Sequence, residues 1–97
     1  MMRLYYIESK VYYIDAQGVD HQVADGGDMP LLTTNKKEAL ETAKRMEDFY
    51  KSRFGYKTIL SNEENPARKD NCLFAVRQVS ETLGTRRELR VYKMWTL

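Results

Sequence analysis

Cys72 and His21 are the only cysteine and the only histidine in the chain, so any thiol nucleophile with an imidazole base would have to be built from this pair. Cys72 opens the apolar run Cys72-Leu73-Phe74-Ala75-Val76. Apolar surroundings raise a thiol pKa and leave it inert, and no third residue that would orient a base is recognisable. Cys72 therefore reads as a small buried side chain, and no catalytic residue is expected. Asp20, His21, Asp25 and Asp28 offer oxygen and imidazole ligands for a divalent cation, but their spacing matches no EF-hand loop, and Asp25-Gly26-Gly27-Asp28 has ordinary turn composition. The Gly26-Gly27 amides would suit a phosphate were they not flanked by carboxylates. Neither a metal nor an organic cofactor is expected. Glu63 and Glu64 are adjacent carboxylates in a polar stretch and read as solubilising charge. The cluster Arg86, Arg87 and Arg90 fits either a contact to an acidic partner or a phosphate backbone, or an edge strand protected by charge.

The tyrosines are the more informative residues. Seven of them occur in 97 residues, several in the near-repeat Leu4-Tyr5-Tyr6-Ile7 and Val11-Tyr12-Tyr13-Ile14. Both segments are rich in strand formers. They form one long strand bulged near Glu8-Ser9-Lys10, or two short strands. Asp15-Ala16-Gln17-Gly18 is a hairpin turn leading into a strand over 19–23. Further strands are expected over 56–60, 73–79 and 89–95, the last two joined by a turn near Gly84. Residues 61–71 are almost entirely polar and read as a solvated loop.

One helix is expected, from about Lys36 to Phe54. Asn35 followed by Glu38 supplies a capping-box start, and Gly55 a left-handed stop. Ala39, Leu40, Ala43, Met46, Phe49, Tyr50 and Phe54 recur at helical spacing, with charged residues between them. Glu41 with Arg45 and Glu47 with Lys51 stand in the favourable i,i+4 order. The phrase Leu32-Thr33-Thr34-Asn35-Lys36-Lys37-Glu38-Ala39 is similar to helix starts that follow a hairpin in many small domains, the arm-type DNA-reading domains of tyrosine recombinases among them. That likeness is local capping chemistry, the strands after the helix depart from the pattern, and it assigns no family.

The element order β-β-α-β-β-β implies a single α+β domain over 1–97. Its expected architecture is two-layered: an antiparallel sheet of four to five strands with one amphipathic helix on one face. Hydrophobic residues make up 42% of the chain, enough for a core, while one cysteine excludes a disulfide framework. The start of the chain lacks the long apolar stretch of a signal peptide, and no apolar run approaches a bilayer span. A cytoplasmic protein is expected, without membrane association. The formal charge of +2 is low for a nucleic-acid binder. It is unevenly spread: residues 1–32 sum to −3, 33–62 to +3 and 63–97 to +2.

A lone helix of about nineteen residues, roughly 28 Å long, covers one face of a small sheet. The strands nevertheless carry large side chains at both parities, so a second face rich in Tyr, Arg and Met is left over. Such composition is enriched in interfaces. The residues expected to bind are Tyr6, Tyr12, Arg90, Tyr92 and Met94, with Tyr5 and Tyr13 replacing the first two if a bulge flips the first strand. The function expected is non-enzymatic: binding of a protein partner or of a second copy of the chain through this face. The alternative is single-stranded nucleic acid stacking on Tyr6, Tyr12 and Tyr92 between Arg77, Arg86, Arg90 and Lys93.

Overall fold

The computed structural model describes residues 2–23, 32–62, 64–65 and 71–96. Strands β1 (Met2–Ile14), β2 (Asp20–Gln22) and β3 (Leu32–Thr33) precede the helix α1 (Lys36–Phe54). Strands β4 (Lys57–Leu60), β5 (Cys72–Ser80) and β6 (Thr85–Thr96) follow it. One helix lies on one antiparallel sheet, the α+β two-layer arrangement expected. Strand order is β2-β1-β6-β5-β4, and the two-residue β3, not foreseen from sequence, pairs with the other end of β1.

The first strand is neither bulged nor split. It pairs with β6 without a break from Met2–Thr96 to Tyr13–Thr85, so Glu8-Ser9-Lys10 continue the ladder. Irregularities fall instead between Cys72 and Phe74 in β5 and between Thr58 and Leu60 in β4. At the β1–β2 hairpin, Asp15 accepts hydrogen bonds from the Gln17 and Val19 amides, both at 2.9 Å, and Gly18 takes φ 80°. The side chain sets the turn and glycine permits it.

The helix bounds follow from capping chemistry. The Asn35 side chain accepts from the Glu38 amide at 3.1 Å, and Gly55 ends the helix in the left-handed region at φ 70°. Its buried stripe is Ala39, Ala43, Glu47 and Tyr50. Two alanines at the centre let the helix backbone approach the sheet closely, where Tyr5, Ile7, Val76, Leu89 and Val91 complete the core. Phe49 and Phe54, assigned by periodicity to the apolar face, are exposed, Phe49 beside the stripe and Phe54 at the last residue of the helix, and pack edge-on to each other at 5.9 Å. A buried carboxylate occupies the stripe: Glu47 accepts from Thr58 Oγ1 at 2.7 Å and Lys44 Nζ at 2.9 Å, with Lys51 at 3.7 Å. Burial alone would raise the Glu47 pKa, but these partners hold it below its ordinary value. Lys51 thus pairs with Glu47 as its spacing implies, whereas Arg45 donates to Thr42 and Glu41 faces Lys37.

Candidate functional site: the open face of the sheet

Alternation along a strand sends successive side chains to opposite faces. Tyr5 and Ile7 of β1 lie against the helix. The even-numbered residues Leu4, Tyr6, Glu8, Lys10 and Tyr12 therefore point to the other side. Register sets them opposite Met94, Tyr92, Arg90, Glu88 and Arg86 of β6, in that order. All five residues singled out by strand parity, Tyr6, Tyr12, Arg90, Tyr92 and Met94, share this face. Tyr5 and Tyr13 are on the helix side.

The middle of the face is organised around Glu88, which is only 7% exposed. Arg77, brought alongside by the β5–β6 pairing, donates to Oε1 of Glu88 through Nε and Nη2, both at 2.9 Å. Arg90 Nη2 donates to Oε2 at 2.5 Å, and Arg86 Nη1 donates to Oε1. Arg86 also reaches Asp20 of β2 at 2.5 Å, and Arg90 Nη1 donates to the Tyr92 hydroxyl at 3.3 Å. The buried Nε atoms of Arg86 and Arg90 have no hydrogen-bond partner among the described residues, and each guanidinium is held by its outer nitrogens. Desolvation pushes the Glu88 pKa up. The charges of Arg77 and Arg90, with the Arg77 and Arg86 hydrogen bonds, outweigh it and hold the carboxyl below its usual range.

Aromatic rings extend this network in both directions. Arg86 lies over the Tyr12 ring, 4.5 Å from its centroid. Tyr6 and Tyr92, cross-strand partners, stack at 5.2 Å with 24° between their planes. Burial, with Glu8 and Tyr92 nearby, raises the Tyr6 phenol pKa. Beyond this stack the face becomes apolar: Leu4 pairs with Met94, Leu32 of β3 stands opposite Tyr6, and Met2 closes the end. Leu32, Met2 and Met94 are 61%, 54% and 41% exposed. The face therefore has a charged half and a bare apolar half, with the Tyr6–Tyr92 stack between them.

Strand alternation divides the Arg86, Arg87, Arg90 cluster. Arg87 points to the helix side, where its guanidinium lies 3.4 Å from the Tyr50 ring centroid and donates to Ser9 Oγ at 2.7 Å. Burial lowers its pKa to about 10. Lys93, at the same parity as Arg87, also leaves the open face. Arg77 and Glu88 are the residues that single-strand reasoning undervalued as partners. Their meeting is fixed by the β5–β6 register, which no local signal reports.

The other candidates are separated. His21 bonds Asp15 at 2.7 Å and stacks on Tyr13 at 4.8 Å, at the helix-side parity of β1. Cys72 pairs in register with Tyr92 on the opposite face, with two strands intervening between β2 and β5. The two cannot act as a nucleophile and base. Cys72 is buried, and its thiol donates to the Phe74 carbonyl at 3.3 Å. Asp25, Gly26, Gly27, Asp28 and Glu63 lie outside the described residues. Among the described residues no group of three or more His, Cys, Asp or Glu side chains converges as a metal site. In the 61–71 segment, Asn65 is buried and Asn62 accepts from the Ala75 amide at 2.8 Å, while 63 and 66–70 are outside the described residues.

No known protein family, curated protein or solved structure matches this chain.

Proposed function

We propose that this is a non-enzymatic binding protein that acts by protein–protein contact through the open face of its sheet. The observation that carries this reading is how the face spends its charges. Arg77, Arg86 and Arg90 already donate to Glu88, Asp20 and the Tyr92 hydroxyl, so little positive charge is left to attract a phosphate backbone. The bare surface is instead Met94, Leu32 and Met2 beside stacked tyrosines. That combination of Met, Tyr and anchored Arg is the composition of interface centres. Among the described residues no helix is long and apolar enough to cross a membrane. The lone buried thiol suits the cytoplasmic location we propose.

One observation favours nucleic acid as the second reading. The Tyr6–Tyr92 stack and the Arg86–Tyr12 pair are flat platforms of the kind on which bases stack. Affinity capture from the native host, with nuclease-treated and untreated lysates compared, separates the two. The expected result is a protein retained equally in both lysates by the wild-type chain and lost with Tyr92→Ala or Arg90→Glu, each checked for folding by circular dichroism. Capture abolished by nuclease, together with oligonucleotide affinity that falls steeply with salt, would establish the second reading instead. Capture indifferent to both substitutions would remove the open face from consideration.

A further inference from the structure

We infer that the occupant of the open face is a second copy of this chain, packed sheet to sheet with a two-fold axis running parallel to the strands. This rests on the protein-contact reading above and names the partner. Three features of the face select it.

The first is size. The β1–β6 ladder runs unbroken from Met2–Thr96 to Tyr13–Thr85. At about 3.4 Å per residue and 4.8 Å between strands, the face across β2, β1, β6 and β5 spans roughly 600–800 Å². Two such faces together bury about 1,200–1,600 Å², the range of a stable specific interface. The apolar half alone gives only about half of that, below the range, so a stable pairing must include the charged half as well.

The second is charge. On the open side of these strands Lys10, Arg77, Arg86 and Arg90 stand against Glu8, Asp20 and Glu88. Most are already paired within the chain, with Lys10 3.6 Å from Glu8 in addition to the Glu88 network. The residual is a single positive charge. A face so nearly neutral can meet its own copy with little like-charge repulsion, which would oppose self-pairing if the arginines were unspent.

The third is the order of the halves along the strands. A two-fold axis parallel to the strands preserves position along them. It reverses the lateral order of the strands but lays the apolar end of one copy, with Met2, Leu4, Leu32 and Met94, over the apolar end of the other, and network over network. A contact of this kind is self-complementary by construction. An axis across the strands would press the apolar end onto the Glu88 network and desolvate it against groups that cannot hydrogen-bond. The resulting assembly is a sandwich with a helix on each outer layer and the two sheets aligned as in packed β-sheets.

Analytical ultracentrifugation of the full chain tests this. Wild type at about 100 µM, well above the micromolar weak end of affinities for interfaces of this area, is expected to sediment at twice 11.4 kDa. Met94→Glu and Leu32→Glu, at exposed positions of the apolar half, should each weaken dimerisation at least tenfold with unchanged circular dichroism. Phe49→Glu, an exposed apolar position on the helix layer, should leave the dimer intact. Wild type that remains at 11.4 kDa, or a dimer indifferent to both face substitutions, overturns the inference. In the monomeric case, a different captured protein that is lost with Met94→Glu keeps the protein-contact reading standing. Capture unaffected by Met94→Glu brings that reading down too.

Discussion

Replacing Glu88 by Gln keeps the shape of the side chain and removes the charge that three guanidiniums share. Gln offers one acceptor oxygen where Glu88 offers two, and its NH2 group faces donors it cannot accept from. Arg77, Arg86 and Arg90 would then crowd one site with Asp20, paired to Arg86, and Glu8, opposite Arg90, left to balance them. Removing one partner of a fully buried ion pair costs about 3–5 kcal/mol. Here Glu88 is buried, but the arginine side chains are 17–29% exposed, so water takes up part of the loss. A destabilisation of about 2–4 kcal/mol is expected, which for a chain of this length lowers Tm by about 10–25 °C. Glu8→Gln on the same face removes a partly exposed pair with Lys10 and a longer-range attraction to Arg90, and should cost no more than about 1 kcal/mol.

Acid titration supplies the sharper test of the same reasoning. The folded-state pKa of Glu88 lies below its ordinary value of 4.5. Its contribution is therefore fully present above the unfolded pKa and is lost as pH falls through the lowered folded one. Urea unfolding of wild type and Glu88→Gln should show the full gap at pH 7 and a closing gap below about pH 4, as wild-type Glu88 protonates. A Gln variant within about 0.5 kcal/mol of wild type at pH 7, or a gap that does not change with pH, would refute the view that Glu88 holds the arginines in place.

Two further substitutions probe the scaffold that presents the face. Ala43→Leu inserts a large side chain where the helix meets the sheet with no exposed surface, and should cost about 1–3 kcal/mol by urea unfolding; a neutral result would mean the helix does not sit as closely as its alanines imply. Gly55→Ala places a Cβ where nothing lies within 4 Å, so any loss is conformational, about 1–2 kcal/mol for a non-glycine residue at φ 70°. No loss would show that the helix ends without needing the left-handed cap.

How much of this was legible in the sequence depended on whether the deciding interaction is local. The helix bounds were readable because Asn35, Glu38 and Gly55 act within one turn of the chain. The parity of Tyr6, Tyr12, Arg90, Tyr92 and Met94 was readable because alternation is a property of a single strand. Glu47 was not readable as a buried residue, since its acceptance of Thr58 and Lys44 hydrogen bonds depends on where β4 lands. Phe49 and Phe54 were misplaced because helical spacing does not say where cover ends: Phe49 lies to one side of the Ala39, Ala43, Glu47, Tyr50 stripe, and Phe54 follows the stripe but is the last residue of the helix. Likewise the continuity of β1 is dictated by its full-length partner β6, not by Glu8-Ser9-Lys10 themselves, and the Arg77–Glu88 pair exists only through the β5–β6 register.

The pairing of the first strand with the last also dictates the order in which the molecule can be made. β1 leaves the ribosome well before its long neighbour β6, which spans Thr85–Thr96. Until residues 85–96 emerge, β1 has one long edge unpaired, and the alanine stripe of α1 lacks Leu89 and Val91 beneath it. β5 and β6 can close as a local hairpin within microseconds, but the central ladder must join segments some eighty residues apart. The sheet thus cannot close until β6 has emerged, and until then the nascent chain carries an open strand edge, the state in which edge-to-edge association is most dangerous.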